Sequence, residues 1–140
     1  MNTMNAMSRA NIRQSTEADI FSIGQLQQDW FEEDSVYGFR PDTQEQMRLL
    51  LGPFCLVAEM DKKIIGFGTG SIHLSEGNAV IPAGESYLEV DNVFVSFKHR
   101  HQGIGGRLVD ELLVEAKKHE VSFALLYSAT KDVHSILKFY

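Results

Sequence analysis

The chain has 140 residues, of which 44% are hydrophobic and 23% are charged, with a formal net charge of -6. This composition predicts one soluble globular domain over residues 10–140, preceded by a flexible polar extension over residues 1–9. The acidic balance argues against a general nucleic-acid binder, and no apolar run is long enough to span a membrane or to form a signal-peptide core. A cytoplasmic location is therefore expected.

The N-terminal half predicts a strand, two helices and a hairpin. A strand is expected over 10–14, followed by a helix capped by Ser15 or Thr16, and a second helix is expected from about residue 41 to residue 51. Strands over 54–60 and 64–74 would form the hairpin, with the single cysteine, Cys55, as a buried structural thiol. The first helix is indicated by apolar residues at helical spacing, namely Ile20, Ile23, Leu26 and Trp30.

The segment 30–39 mixes aromatic residues with three consecutive acids, Glu32, Glu33 and Asp34. Two interpretations remain open for it: a pocket wall for an organic cation, or a solvated loop anchored by its aromatic residues. Further along, Gly66, Gly68 and Gly70 alternate on one face of the 64–74 strand, which favours close packing of a neighbouring element.

The C-terminal half predicts a long strand over 85–96, a helix that begins near Ile104, a strand over 121–127 and a final helix from Asp132 to Tyr140. A helical connection between two neighbouring strands implies that they are parallel. The helix near Ile104 has one apolar stripe and otherwise polar faces. Its stripe consists of Ile104, Leu108, Val109, Leu112, Leu113 and Ala116.

Between the long strand and this helix lie three glycines in four positions, Gly103, Gly105 and Gly106. Glycines there leave the backbone accessible, and the first turn of a helix offers unpaired amides to an anion such as a pyrophosphate. Two phosphate motifs do not fit. A dinucleotide fingerprint would need glycine where Leu108 stands, and a P-loop would need Gly-Lys followed by Ser or Thr.

The pattern that fits is Arg100-x-x-Gly103-x-Gly105 between a strand and a helix, which strongly resembles the GCN5-related N-acetyltransferase superfamily. The resemblance covers nearly the whole chain. It implies an α/β (α+β) fold with a mixed, mostly antiparallel sheet, a splayed parallel pair and flanking helices, here lacking the last two strands. It also implies an acetyl-CoA-dependent N-acetyltransferase in which a primary amine attacks the thioester directly, without a metal.

In such a fold acetyl-CoA lies in the gap between the splayed strands. The resemblance implies that backbone amides of residues 102–107 bind the pyrophosphate and that main-chain groups at Phe94 and Val95 hold the pantetheine arm. The histidines His99 and His101 do not make a zinc site by themselves. The implied cofactor-binding residues are Phe94, Val95, Arg100, His101, Gln102, Gly103, Ile104, Gly105, Gly106 and Arg107.

Catalysis requires a base, because an ammonium group must lose its proton before it can attack a thioester. By the period of a strand, Glu89, Asp91 and Val93 fall on one face, which would direct two carboxylates the same way. Glu89 stands eleven residues before Arg100, the position of the general base in the histone-acetyltransferase branch, and Asp91 is the rival. The alternative is that both acids face solvent or pair with Lys and Arg.

The same resemblance implies that Tyr140 protonates the departing thiolate. Members of the superfamily continue beyond this tyrosine into two more strands, so we expect either a fragment of a longer protein or a homodimer that completes the sheet. The acceptor is expected to be a cationic small-molecule or peptide amine, in keeping with the acidic charge. The alternative function is a noncatalytic acyl-CoA-binding or regulatory module.

Overall fold

The computed structural model describes residues 10–33, 39–127 and 134–138, and builds them around one six-stranded sheet. Its strands follow one another across the sheet in chain order, and every neighbouring pair is antiparallel except β4 and β5. The mostly antiparallel sheet with one parallel pair, predicted from the sequence, is confirmed. The strands are β1 (Asn11–Gln14), β2 (Cys55–Met60), β3 (Lys63–Leu74), β4 (Ser86–Val95), β5 (Phe123–Tyr127) and β6 (His134–Lys138).

In the part of the chain that the structure describes, three α-helices cover the two faces of the sheet: α1 (Ile20–Glu33), α2 (Gln44–Leu50) and α3 (Ile104–Lys118). The buried stripe of α3 packs with Leu88 and Val90 of β4, whereas α1 and α2 pack on a second cluster that contains Phe67 and Phe94. Because neighbouring residues of a strand point to opposite faces, this division places α3 on one side and α1 with α2 on the other. No helix in the described ranges is long and apolar enough to cross a membrane.

The glycines of β3 allow α3 to approach the sheet closely, as predicted. A Cβ atom at Gly68 would lie 3.4 Å from Cβ of Leu108, and one at Gly66 would lie 2.9 Å from the carbonyl oxygen of Phe94. Gly66 and Gly68 are on the α3 face of the sheet, whereas Phe67 between them is fully buried on the α1 face. The missing side chains therefore set the distance between the sheet and the helix that opens at the glycine turn.

A β-bulge interrupts the pairing of β3 with β4 at Asp91. The register runs to Gly70↔Val90 and resumes at Thr69↔Asn92, so Asp91 is an extra residue on β4. Beyond it Val93 packs against the α3 cluster, on the same side as Val90. The prediction that Val93 shares a face with Glu89 is therefore wrong, because the bulge shifts the alternation by one residue.

The predicted final helix is wrong over His134–Lys138, which forms β6 antiparallel to β5. Pairing with β5 satisfies backbone groups that would otherwise stay open along an apolar edge, and this outweighs the helical pattern in the sequence. The argument for a homodimer from an unpaired β5 edge therefore does not hold. Tyr140 and the residues before His134, from 128 to 133, lie outside the described ranges.

We expect Gly66→Ala to lower the free energy of unfolding by about 1–3 kcal/mol, because the new methyl group would press on the backbone oxygen of Phe94. Gly106→Ala is the matched control, since a Cβ atom there would meet nothing within 4 Å. It should leave stability equal or slightly raised, as glycine is unfavourable within a helix. Urea denaturation of the three proteins measures the difference, and equal midpoints for Gly66→Ala and wild type would contradict the packing argument.

Candidate functional site

The site begins where β4 and β5 part. Their parallel pairing runs only from Tyr87↔Phe123 to Val90↔Leu126, while β4 continues to Val95. In the described part of the chain, the β5-facing edge of residues 91–95 therefore has no strand beside it. Backbone groups on such an edge remain available for hydrogen bonds with a ligand.

The glycine turn brings the N-terminus of α3 next to the end of β4. A 3₁₀ turn over Phe97–His99 follows the strand, and Gly103 caps α3 in the left-handed region with φ of 81°. Ile104 is buried in the α3 cluster and fixes the first turn of the helix. His101 also has positive φ, 63°, so the chain reverses sharply between the strand and the helix.

The first turn of α3 offers amides to an anion. Helix geometry leaves the amides of Ile104, Gly105 and Gly106 without intrahelical acceptors, and the dipole of a 15-residue helix adds partial positive charge there. The amide of Arg107, which the sequence analysis included in the anion-binding set, instead donates to the carbonyl oxygen of Gly103 at 3.0 Å. The amides that remain available to an anion are thus those of Ile104, Gly105 and Gly106.

Open space and an unpaired polar atom adjoin these amides. A Cβ atom at Gly106 would meet no atom within 4 Å, and one at Gly105 would come no closer than 3.8 Å to Val93 and Val95. The side-chain oxygen Oε1 of Gln102 is buried without a hydrogen-bond partner. This oxygen can only accept a hydrogen bond, so a donor group of a ligand, not its phosphates, would satisfy it, whereas the open space beside the amides leaves room for the phosphates. The turn therefore fits a phosphate-bearing cofactor.

The Arg100 side chain is half-buried and is held by contacts with β4 and α1. Its Nε donates to the carbonyl oxygen of Val95 at 2.8 Å, and its Nη2 lies 2.7 Å from Oε2 of Glu33. The guanidinium also lies over the rings of Phe94 and Phe97, with centroid distances of 5.1 and 5.7 Å. This motif arginine therefore connects the end of β4 to the end of α1.

The acidic segment after Trp30 is only partly described. Trp30 is a core residue that stacks on Phe94 at 5.1 Å, Glu33 pairs with Arg100, and Glu32 accepts a hydrogen bond from Gln28. Asp34 lies outside the described residues. Nδ1 of the His99 ring lies 2.8 Å from Oγ of Ser96, and this hydrogen bond stabilises the 3₁₀ turn.

The structure brings Glu89 and Asp91 together near the bulge. Desolvation by the surrounding protein, contact with the Glu89 carboxyl and its negative charge raise the pKa of Asp91 to about 6, although the residue stays exposed at the surface. A hydrogen bond from Ser71 and the charge of His73 act in the opposite direction on this pKa. A carboxyl whose pKa is raised in this way beside a second carboxyl is typical of a site for proton transfer.

Sequence reasoning missed two polar residues of β3 beside these acids. Ser71 Oγ donates to Oδ2 of Asp91 at 2.9 Å and lies 2.8 Å from Nε2 of His73, which in turn is 3.5 Å from Oε2 of Glu89. The two-residue spacing of Ser71 and His73 was visible in the sequence. Their alignment with the acids required the strand register, which the bulge at Asp91 sets.

A surface cavity of about 400 Å³ lies at the end of the β3–β4 hairpin, and its lining includes His73, whose Nε2 is 3.5 Å from Oε2 of Glu89. It is lined by His73, Leu74, Ser75, Glu76, Gly77, Asn78 and Tyr87. A larger cavity of about 650 Å³ lies between α1 and the β2–β3 turn, and its lining includes neither the acids nor the glycine turn. Because neither cavity is lined by Glu89 or Asp91, we place the chemistry at the parted strands beside Asp91, whose carboxyl has the raised pKa.

Comparison with known proteins agrees with this geometry. A model of the acetyltransferase (GNAT) family matches residues 21–140. The chain belongs to this family. None of the curated proteins searched matches it. The resemblance to the N-acetyltransferase superfamily, given by the arginine and glycines of the turn, is thereby confirmed.

Solved structures with the same fold include several GNAT proteins and other acetyltransferases at low sequence identity. A GNAT acetyltransferase from Brucella melitensis in complex with acetyl-CoA is 21% identical, with a TM-score of 0.68 over 94% of this chain and 88% of that one. An aminoglycoside acetyltransferase from an uncultured soil metagenomic sample, in complex with trehalose, is 18% identical, with a TM-score of 0.66 over 86% and 78%.

N-acetylglutamate synthase from Neisseria gonorrhoeae, complexed with coenzyme A and N-acetyl-glutamate, is 20% identical with a TM-score of 0.67. The match covers 85% of this chain but spans only 25% of the length of the synthase. The likeness therefore concerns the fold of one part of that protein.

We expect Asp91→Asn to stabilise the folded protein above about pH 6. A carboxyl whose pKa is raised on folding binds more protons in the folded state, so wild-type stability falls as the pH rises from about 4 to about 6, and the penalty persists above that range. The asparagine variant lacks this penalty, so its advantage should grow over the same range. Thermal unfolding from pH 4 to pH 8 measures it. Asp110→Asn, at an exposed position of α3, is the control whose difference from wild type should stay flat.

Proposed function

We propose that this GNAT protein transfers the acetyl group of acetyl-CoA to a primary amine by direct attack of the amine on the thioester. The observation that carries the proposal is that one strand, β4, holds both halves of the required site. Its bulge presents the perturbed carboxyl of Asp91, and its end leads into the anion-binding turn. Four residues of strand, about 13 Å, separate Asp91 from Val95.

The chain would bind acetyl-CoA along this length. The amides of residues 102–106 would hold the pyrophosphate, with His101 and the Arg107 side chain nearby, and main-chain groups of Phe94 and Val95 would bind the pantetheine arm. Arg100 would act by fixing the Val95 carbonyl and the end of α1, as its contacts indicate. Binding is supported by the family membership and by neighbours of the same fold whose structures contain acetyl-CoA or coenzyme A.

Asp91 would take the proton of the amine. A primary ammonium with a pKa of about 10.4 must be deprotonated at a cost of roughly 4.6 kcal/mol at pH 7, so a base close to the amine accelerates attack. The raised pKa of about 6 makes Asp91 a better base than an ordinary aspartate while leaving it ionised at neutral pH. Glu89 would sustain this value by its negative charge, and would attract the cation.

Tyr140 remains our candidate for the group that protonates the departing thiolate, on the resemblance of the sequence alone. We further infer that the acceptor is a cationic amine, such as a polyamine, an amino sugar, a lysine side chain or a peptide N-terminus. The net charge of -6 and the two carboxyls near the bulge support this class. No group of three or more potential metal ligands occurs in the part of the chain that the structure describes, and the mechanism uses no metal.

Asp91→Asn should lower kcat about a hundredfold or more with a panel of primary amines, because the base is lost, while leaving the affinity for coenzyme A within about twofold. Thiol release measures the rate and calorimetry measures the affinity. Glu89→Gln should lower kcat less, and Asp110→Asn should leave it unchanged. Tight binding of coenzyme A without turnover of any amine would instead favour a noncatalytic acyl-CoA-binding module.

The glycine turn can be tested separately by two variants of equal size. Gly106→Glu and Gly106→Gln both extend into the open space beside the amides, but only the first adds a negative charge. If the turn holds the pyrophosphate, Gly106→Glu should bind coenzyme A about tenfold more weakly than Gly106→Gln, and added salt should narrow the gap. Equal affinities of the two variants in calorimetry would place the pyrophosphate elsewhere.

A further inference from the structure

A chain of hydrogen bonds links the carboxyl of Asp91 to a solvent-exposed histidine through β3. Ser71 Oγ lies 2.9 Å from Oδ2 of Asp91 and 2.8 Å from Nε2 of His73. The pairing of Ser71 with Glu89 and of His73 with Tyr87 holds these side chains in register. Because the members lie on two directly paired strands, their spacing is fixed by the sheet.

The direction of these bonds follows from counting protons. An ionised carboxylate can only accept a hydrogen bond, so the single proton of the Ser71 hydroxyl points to Asp91. Ser71 must then accept from His73, which requires a proton on Nε2 of the imidazole. The same nitrogen lies 3.5 Å from Oε2 of Glu89. Neutral His73 is thus the Nε2–H tautomer, with the lone pair on Nδ1.

We propose that Ser71 and His73 are positioning residues that keep Oδ2 of Asp91 occupied as an acceptor and thereby direct the amine proton to Oδ1. This inference rests on the proposed function. While Nε2 of His73 carries a proton, Ser71 has no acceptor other than Asp91 within the chain of bonds. A proton on Oδ2 would face the hydroxyl proton of Ser71, so the incoming proton goes to the other oxygen. The N–H bond of the ammonium breaks and an O–H bond forms at Oδ1.

The surroundings of His73 support this role. Its side chain is 44% exposed, compared with 25% for Glu89, and its ring stacks on Tyr87 at a centroid distance of 5.5 Å. The charged and titratable groups around it are Glu89 and Asp91 on β4, Tyr87 beside the ring, and Glu76 in the lining of the same cavity. The Glu89 carboxyl, 3.5 Å from Nε2, favours a donor at this nitrogen in either protonation state.

The chain also sets the pH range in which Asp91 works as a base. The hydrogen bond from Ser71 favours the ionised carboxylate, against desolvation and the charge of Glu89. Removing the hydroxyl should therefore leave Asp91 protonated, and inactive as a base, at higher pH than in the wild type. Such a shift separates a positioning role from simple loss of structure, which would lower the rate at every pH.

The first experiment compares pH profiles of kcat/KM for an amine that the wild type acetylates. Ser71→Ala should move the acidic limb to higher pH, with about a tenfold loss at pH 6 and a smaller loss at pH 8, and Ser71→Thr should restore the profile because it keeps the hydroxyl. His73→Ala should shift the limb in the same direction. Tyr87→Phe, which keeps the stacked ring, should not. An unshifted limb in Ser71→Ala would overturn the inference.

The second experiment does not depend on turnover. Long-range ¹H–¹⁵N NMR at neutral pH, with His73→Gln to identify the signal, should show the Nε2–H tautomer of His73, and carboxyl ¹³C titration should show a higher pKa for Asp91 in Ser71→Ala than in the wild type. A neutral Nδ1–H tautomer would overturn the inference. Failure of the wild type to acetylate any amine, with the NMR results as expected, would instead refute the proposed function and leave the hydrogen-bond arrangement established.

Discussion

The site depends on the short parallel contact between β4 and β5, which lasts for four residue pairs. Parallel neighbours require a crossover, and here the crossover is α3, whose first turn comes to lie beside the end of β4. Within the described ranges, two sets of backbone groups thus lie beside a gap in one place: the edge of residues 91–95, of which the Val95 carbonyl is held by Arg100, and the first amides of α3. A ligand with amide groups along its length and phosphates at one end can satisfy both sets. If β4 and β5 were paired over more residues, the gap between them would be closed.

The bulge at Asp91 separates the packing role of β4 from its chemical role. By shifting the alternation, it keeps Val90 and Val93 both on the α3 side, so the helix has a continuous apolar surface beneath it. The acids then lie next to the polar side chains of β3 instead of being drawn into the core. Without the bulge, either the contact of Val93 with α3 or the grouping of the two carboxyls would be lost.

Much of this arrangement could be predicted from local sequence. The helical period of the Ile104 stripe, the glycines of the turn and the two acids at a spacing of two are patterns within one segment, and the structure places the helix, turn and acids accordingly. What could not be predicted depends on pairing between distant segments. The bulge, the alignment of Ser71 with Glu89 and the pairing of β6 with β5 are properties of strand register, which no single stretch of sequence encodes. The motif likewise identified Arg100 but not its contacts with Val95 and Glu33.

The contacts of Arg100 connect the end of β4 to the end of α1. One end of its guanidinium is bound to the Val95 carbonyl, at the strand edge where a cofactor would lie, and the other end is paired with Glu33 at the end of α1. Trp30, one turn earlier on α1, stacks on Phe94 of the same strand. A displacement of the end of α1 therefore strains a charge-assisted hydrogen bond and an aromatic contact at once. The position of the end of α1 and that of the β4 edge beside the proposed cofactor site are therefore coupled through Arg100 and Trp30, which neither the glycine turn nor the acids could provide.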